Sequence, residues 1–465
     1  MATVTNDRRG EPLDPKAKSA IRGAFLGFYV DIFDIYLPIV VLAPALIYFV
    51  SPQIGGTASA IVGASIFAAA LVGRPIGALI FGSFADTIGR RKTTIIAVSG
   101  FGVTTLLLAL MPGYQQIGIT AVILFIILRF VDGIFLGGEY TSASPLAMEY
   151  SPREKRGLYG ALIMTGFPLA YATISLITMF LLFLMPSEGL NSAYVQWGWR
   201  IPFLIGAALA FGFVFYYARS VSESEIFEQS GGSESPIKDL FSGDNLKNFL
   251  QVFVMMTGFW LTLNMVSAAL PGLLGDPVGL SSTSVTITLV IANLVLVGGY
   301  VSAGVISQRV GRRPFLIVMG ATMAVVGTFL YYLLVSAAPK NLFVVILLTT
   351  LISVLVVSPW GLATTYINER FHTGVRATGF GLGYSLAVII PSFYAFYQAG
   401  LATFMPAQYT ALVLLVIGAL LIVVGAAWGP ETKDVDFSEE PQVSSSRDLS
   451  KASPGTTSAP GTDQN

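Results

Sequence analysis

The chain has no cysteine and a single histidine, His372, among its 465 residues. Without thiols there is no disulfide, no thiolate metal site and no thiol nucleophile. One imidazole cannot build a multi-histidine zinc centre. Charge is scarce as well: 11% of residues are charged, against roughly 25% in soluble domains. The formal net charge is zero, so no long-range field favours nucleic acid or an acidic partner. There is no Walker-type phosphate loop and no H-E-x-x-H pair, which leaves ATP hydrolysis and zinc proteolysis without residues. "GFGLG" (379–383) shares part of a dinucleotide fingerprint, but it lies in an apolar run where small residues serve helix packing. No cofactor is expected, and no catalytic constellation points to an enzyme. The strand-length alternation of an outer-membrane barrel is missing too.

What remains is grease. Hydrophobic residues make up 54% of the chain and mean hydropathy is +0.73. Runs long enough to cross ~30 Å of hydrocarbon as a helix recur throughout. Twelve spans are predicted, near 24–48, 58–84, 93–111, 118–142, 157–185, 199–218, 248–271, 283–307, 314–336, 341–366, 375–402 and 407–428. The expected class is therefore an all-α integral membrane protein embedded in a lipid bilayer. The segment 1–21 is polar, with no signal-peptide pattern, so the first span should direct insertion. Two six-helix units are expected at 22–219 and 248–429. Between them 220–247 reads as a solvated linker, with an amphipathic helix around Ile226, and 430–465 reads as a disordered tail.

Lys and Arg crowd one side of this topology, including Arg90, Arg91, Arg153, Arg156, Arg312, Arg313 and Arg376. The opposite side holds only Arg200 and Lys340. Positive charge stays cytoplasmic, which places both termini and the linker inside the cell and predicts a multi-pass plasma (inner) membrane protein. The two halves echo each other. Gly82, Gly89, Arg90 and Arg91 of "GSFADTIGRRK" recur at a constant offset as Gly304, Gly311, Arg312 and Arg313; Glu149 and Arg156 recur as Glu369 and Arg376. Internal repeats of this kind characterise secondary transporters, with substrate held near mid-membrane between them.

Charges inside spans cost a few kcal/mol each on insertion scales, so each needs a reason. Asp31, Asp34, Arg74, Arg129, Asp132 and Glu139 all fall in the first half; the spans of the second half carry essentially none. On a helical wheel at about 100° per residue, Arg129, Asp132 and Glu139 share an arc of about 80°. Gly27, Asp31, Asp34 and Pro38 share one face of the first span. Four acids facing two arginines suggest a proton-coupling device, with Asp34 and Arg129 first, then Asp31 and Asp132. Arg74 and Arg129 could grip a carboxylate, while the surplus acids suit a cation or zwitterion. Phe28, Tyr36, Asn264, Trp360, Tyr384 and Gln398 are the expected remainder of the cavity lining. Asp86, Arg90, Arg91, Glu139, Glu149, Arg153, Arg156, Arg312, Arg313, Glu369 and Arg376 are expected to form a cytoplasmic gate. In that gate Asp86 pairs with its basic neighbours or with Arg153 and Glu149. The second copy has Gln308 in place of Asp86, so it should lack the charged half of the latch.

These motifs resemble the major facilitator superfamily. "GSFADTIGRRK" is similar to its loop between the second and third spans, "RFVDGIFLGGE" (129–139) to its fourth-span motif, and "GPETK" (429–433) to the ending of sugar porters. "GRPIG" (73–77), "GGEYTSASPLAMEYSPREKRGLYGA" (137–161) and "WGWRIPFLIG" (197–206) resemble the metabolite:proton symporter group, which is sugar porter-like. The resemblance implies the major facilitator fold, two pseudo-symmetric six-helix bundles. It also implies a secondary transporter that imports a small metabolite, an organic acid foremost, together with protons, working as a monomer. It further pairs a first-span acid with Arg129. A sugar, amino-acid or betaine transporter, an uncoupled facilitator or antiporter of the same fold, and a non-transporting sensor or scaffold are the alternatives.

Overall fold

A computed structural model describes residues 14–51, 53, 56–223, 236–275, 277–336 and 341–437. Twelve helices are long and apolar enough to cross a membrane: α1 Pro15–Val40, α2 Ile61–Ile88, α3 Arg90–Ala109, α4 Thr120–Glu149, α5 Arg153–Leu184 and α6 Tyr194–Ser220 in one half. The other half contains α7 Gly243–Gly275, α8 Ser282–Val310, α9 Arg312–Ser336, α10 Leu342–Glu369, α11 Thr373–Leu401 and α12 Ala407–Trp428. The described residues contain no strand.

Each predicted span overlaps a helix; α1 stops at Val40, short of the expected 48, while several helices outrun the hydropathy that revealed them. α4 continues to Glu149 and α1 begins at Pro15. The extensions are polar or amphipathic turns, which backbone bonding continues after apolar composition stops. Local chemistry fixes the ends. Asp14 accepts a hydrogen bond from the Lys16 N–H at 2.9 Å, with Pro15 in the first turn of α1. α3 and α9 are entered through Gly89 and Gly311, both with φ near +105° (104° and 106°), a backbone that side chains resist. These two glycines are the repeated turn of the sequence.

Tight crossings hold the first half together. Gly73, Gly77, Gly133 and Gly137 bring the backbones of α2 and α4 into contact. At Gly137 an added Cβ would lie 3.0 Å from the Ala78 nitrogen. The halves meet along α2 with α11 and α5 with α8, where Gly157 of α5 abuts the Gly304 backbone. Large apolar side chains such as Phe183 and Val325 point outward from the bundle, as helices facing lipid require.

Two expectations about the polar segments change. The linker is structured from Pro236, where a short helix, Pro236–Leu240, buries Leu240 before α7 begins at Gly243. The amphipathic helix expected around Ile226 lies outside the described residues. The tail expected to be disordered from 430 is packed structure as far as Phe437, which is buried; residues 438–465 lie outside the described residues.

Candidate transport site

The six intramembrane charges of the first half assemble into two clusters, each with two carboxylates and one guanidinium. In the first, Arg129 Nη1 of α4 donates to Asp34 Oδ2 of α1 and to Asp132 Oδ2 of α4, both at 2.7 Å. Two α3 hydroxyls complete it: Thr105 Oγ1 donates to Asp34 and Thr104 Oγ1 to Asp132, each at 2.6 Å. Every charged member is at most 1% exposed. In the second, Arg74 Nη2 of α2 donates to Asp31 Oδ2 of α1 at 2.7 Å, and Glu139 of α4 is the nearby second acid. Three residues separate Asp31 from Asp34, close to one helical turn, so α1 presents both acids to the bundle interior. With every group ionised, each cluster would carry one uncompensated negative charge out of water, an expensive arrangement.

Beside these clusters lies a small central cavity of about 10 Å³, lined from both halves by Phe28, Tyr36, Phe167, Trp260, Tyr300, Trp360 and Tyr384 among others. Arg74 reaches its edge, with the guanidinium carbon 5.8 Å from the centroid of the Tyr384 ring. Trp260 and Trp360 pack edge to face at 4.9 Å, and Trp260 Nε1 donates to the Tyr384 carbonyl at 2.9 Å. Several polar atoms here have no partner within the protein: Trp360 Nε1, Arg74 Nε and Nη1, and Asp31 Oδ1. Buried polar groups are ordinarily satisfied, so unspent donors and acceptors around a cavity are what a ligand would use.

One end of the bundle is sealed. At the face crowded with Lys and Arg, Glu149 of α4 binds Arg90 of α3 and, across the halves, Arg376 of α11 at 2.5 Å. Glu369 of α10 answers it, binding Arg312 of α9 at 3.3 Å and Arg156 of α5 at 3.7 Å. Asp86 of α2 accepts the Thr378 N–H and hydroxyl at the start of α11, both at 2.8 Å, with Arg90 of α3, four residues on, at 3.8 Å. Burial pulls against ionisation of such groups, and here each finds several donors. At the other end Pro38, Leu46 and Phe67 face Ala268 and Tyr394 across an open pocket of about 410 Å³. The cavity is therefore shut at the basic face and approached from the opposite one.

The structure rearranges several expectations. Asp86 binds the first turn of α11 besides Arg90, and Arg153 pairs instead with Asp434 at 3.3 Å. Gln308 retains its half of the latch without charge: its Oε1 accepts the Gly157 N–H at 3.0 Å and Arg312 Nη2 at 2.7 Å. Substitution by an amide keeps the acceptor that the contact uses. Arg91 and Arg313 turn away from the gate and donate to the carbonyls of Ala218 and Ala427. Glu139 stands with Arg74 and Asp31 rather than with the gate arginines. Of the expected lining residues, Phe28, Tyr36, Trp360 and Tyr384 line the cavity, with Arg74 beside it. Asn264 donates to the Pro391 carbonyl and Gln398 to Thr410, both within the second half, and Arg129 is committed to its two aspartates.

Sequence reasoning overlooked Trp260, Tyr300, Phe167 and Tyr140, whose hydroxyl shares a 2.5 Å hydrogen bond with Thr364 across the halves. Aromatic residues in apolar helices carry no local mark of lining a cavity. It also overlooked Glu223 and Glu431, which follow the last span of each half. Glu223 accepts the Arg90 and Arg91 N–H groups and Glu431 those of Arg312 and Arg313, all at 2.8–3.1 Å. Both acids sit at the N-terminus of a helix, where the dipole favours them. Their signal was visible as an acid shortly after a closing span in each repeat.

The chain is similar to known transporters over most of its length. It is 29% identical over 406 residues to the inner membrane metabolite transport protein YhjE of Escherichia coli, covering 85% of this chain and 90% of that one. It is 26% identical over 425 residues to the E. coli shikimate transporter (88% and 93%). It is also 26% identical over 430 residues to the proline/betaine transporter of Salmonella typhimurium (88% and 83%). In fold it matches a structure of the proton:xylose symporter XylE with TM-score 0.71, at 18% identity, over 90% of this chain and 96% of that one. The model of the Major Facilitator Superfamily matches residues 24–387, and the chain belongs to that family of small-molecule membrane transporters rather than to an enzyme family.

Proposed function

We propose that this protein imports a small organic acid together with protons by alternating access. The observation that carries the reading is the sealed Asp34–Arg129–Asp132 cluster beside a cavity shared by both halves. Arg129 serves two carboxylates at once. When the halves rock, any withdrawal of its guanidinium leaves a buried carboxylate without a counter-charge, which a proton neutralises. Proton binding and the opening of each end are thereby linked through one side chain. The unspent donors of Arg74 and Trp360 suit the carboxylate of a substrate. The shikimate transporter among its relatives supports an acid substrate, and the proton:xylose symporter of like fold supports proton coupling.

In this reading the protein sits in the inner membrane with both termini cytoplasmic, as the crowding of Lys and Arg at one face supports. Glu149, Glu369 and Asp86 then close the cytoplasmic end. A single chain supplies both halves of the cavity, which supports a working monomer.

A second reading has its own observation. Trp260, Trp360 and Tyr384 stand around the cavity near the unpartnered Oδ1 of Asp31. Aromatic faces with a carboxylate nearby suit a quaternary ammonium or zwitterion. Purified protein in liposomes with an imposed pH gradient separates the readings: radiolabelled shikimate and glycine betaine are offered in turn, and the one accumulated identifies the class. Asp34→Asn should abolish gradient-driven accumulation while leaving counterflow exchange. Accumulation at the wild-type level in that variant removes Asp34 from coupling, and uptake indifferent to the gradient removes symport.

A further inference from the structure

Glu139 is the one buried carboxylate that the transport reading leaves idle. It is 0% exposed, and neither oxygen has a hydrogen-bond donor within the protein. Among the described residues every other fully buried acid is bound: Asp31 to Arg74, Asp34 and Asp132 to Arg129, Asp86 to Thr378, Glu149 to Arg376, and Glu369 to Arg312. The carboxyl group packs against α1 at Gly27. A Cβ at Gly27 would overlap Glu139 Oε1 and would stand 3.0 Å from Phe213 Cζ of α6. Glycine at 27 is thus what lets the acid enter. An ionised carboxylate in this setting is cut off from bulk solvent and has no protein donor, whereas the neutral acid fits it.

The groups facing it are few. Asp31 comes from α1, Arg74 from α2, Tyr217 from α6, and Tyr140 neighbours it on α4. Arg74 alone is cationic. It spends Nη2 on Asp31 and keeps Nε and Nη1 without acceptors. One arginine thus lies between two acids on different helices, holds one of them, and has donors in reserve for the other. Glu139 stands seven residues beyond Asp132 along α4, about 10 Å closer to the sealed face.

We propose that Glu139 is a second proton-carrying site, separate from the Asp34–Arg129–Asp132 cluster, and that Arg74 shuttles between Asp31 and Glu139. In the form seen here Asp31 is the carboxylate bound to Arg74 and Glu139 holds the proton. In the alternative form Arg74 binds the Glu139 carboxylate, Asp31 has taken a proton from the open side, and the Glu139 proton has left toward the sealed face. One proton is gained at Asp31 and one is lost at Glu139, so the charge of the cluster is unchanged while one proton advances. The direction of this relay rests on the proton-coupled reading above; the resting proton on Glu139 does not.

The test is infrared spectroscopy of the purified full chain in lipid vesicles at neutral pH, without substrate or gradient. Wild-type protein should show the carbonyl-stretch band of a protonated carboxylic acid, bleached by alkali. Glu139→Gln, which mimics the shape of the neutral acid, should lose that component. Glu139→Asp should retain it at a shifted position. A band of undiminished intensity in Glu139→Gln overturns the proposal. If that variant does not fold, Glu139→Asp decides instead, because a band left unshifted in it, or no such band in wild-type protein at neutral pH, overturns the proposal equally. Gradient-driven uptake of the accumulated substrate is measured in parallel. Wild-type uptake indifferent to the gradient, with the band present, refutes coupling and leaves the proton site standing; coupled uptake without the band does the reverse.

Discussion

Glu149→Gln should weaken the closed end of the bundle, by an amount that the geometry allows to be worked out. Glu149 of α4 holds Arg376 of α11 at 2.5 Å across the halves, and both side chains are at most 2% exposed. It also binds Arg90, which donates to the Thr373 carbonyl of the other half at 3.4 Å. A charge-assisted hydrogen bond contributes ~1.5–3 kcal/mol, and removing one partner of a buried pair costs ~3–5 kcal/mol. Glutamine keeps an acceptor oxygen, so a value of about 3 kcal/mol at the lower end applies. Opening hydrates the stranded Arg376, so that loss falls mainly on the closed form. At 1.4 kcal/mol per tenfold, the closed-to-open ratio should fall about a hundredfold. The absence of cysteine makes the readout simple. Thr365 of α10 is buried against Gly160 of α5, with its hydroxyl donating to the Arg156 carbonyl at 3.2 Å. A single Thr365→Cys reporter should react with a membrane-permeant maleimide far faster in the Glu149→Gln background. Labelling rates within about twofold of each other, a difference of well under 1 kcal/mol, would refute the assignment of this pair as the closure.

Two further outcomes follow from contacts that a sequence does not display. Phe437 is clamped between the guanidinium carbons of Arg156 at 3.7 Å and Arg376 at 4.0 Å, one from each half. Phe437→Ala should therefore raise Thr365→Cys labelling by about tenfold, the equivalent of one to two cation–π contacts at ~0.5–2 kcal/mol each. Combined with Glu149→Gln the effect should be less than additive, because Arg376 is shared; strict additivity would show that Phe437 acts elsewhere. Gly133→Ala should lower the melting midpoint of the detergent-purified protein, since its Cβ would lie 2.7 Å from the Ala70 carbonyl carbon and force α2 from α4. Overpacking of this kind costs ~1–3 kcal/mol, so an unchanged midpoint would argue against the close crossing.

The span count, the fold class and the asymmetry of charge were legible in the residues because each is a local property. Whether a helix enters hydrocarbon depends on the transfer cost summed along some twenty consecutive side chains, and no partner needs to be known. The repeat was legible for a similar reason. Gly89 and Gly311 occupy a backbone conformation that side chains resist, so both copies of the turn keep the glycine.

Partner choice was not local. Four acids and two arginines were visible in the first half, but only helix crossings decide that Arg74 takes Asp31 while Arg129 takes Asp34 and Asp132. The close contacts of Gly73 with Phe130 and of Gly137 with Arg74 set α2 against α4 at that depth, and Glu139 is left without a donor beside Gly27. Residues drawn from α1, α5, α7, α8, α10 and α11 form one aromatic cavity, and no spacing along the chain announces it. The gate divides in the same way. Charged residues flanking the spans were visible in the sequence, but only the fold separates Glu149, Glu369 and Asp86, which bind across it, from Arg91 and Arg313, which turn away, and brings Gln308, Glu223, Glu431 and Phe437 against their partners. Sequence alone determined which segments enter the bilayer and which half carries charge, because transfer free energy is paid residue by residue. Tertiary structure decided which charges meet, which acid is left alone and which end is closed, because hydrogen bonds and ion pairs act only at contact.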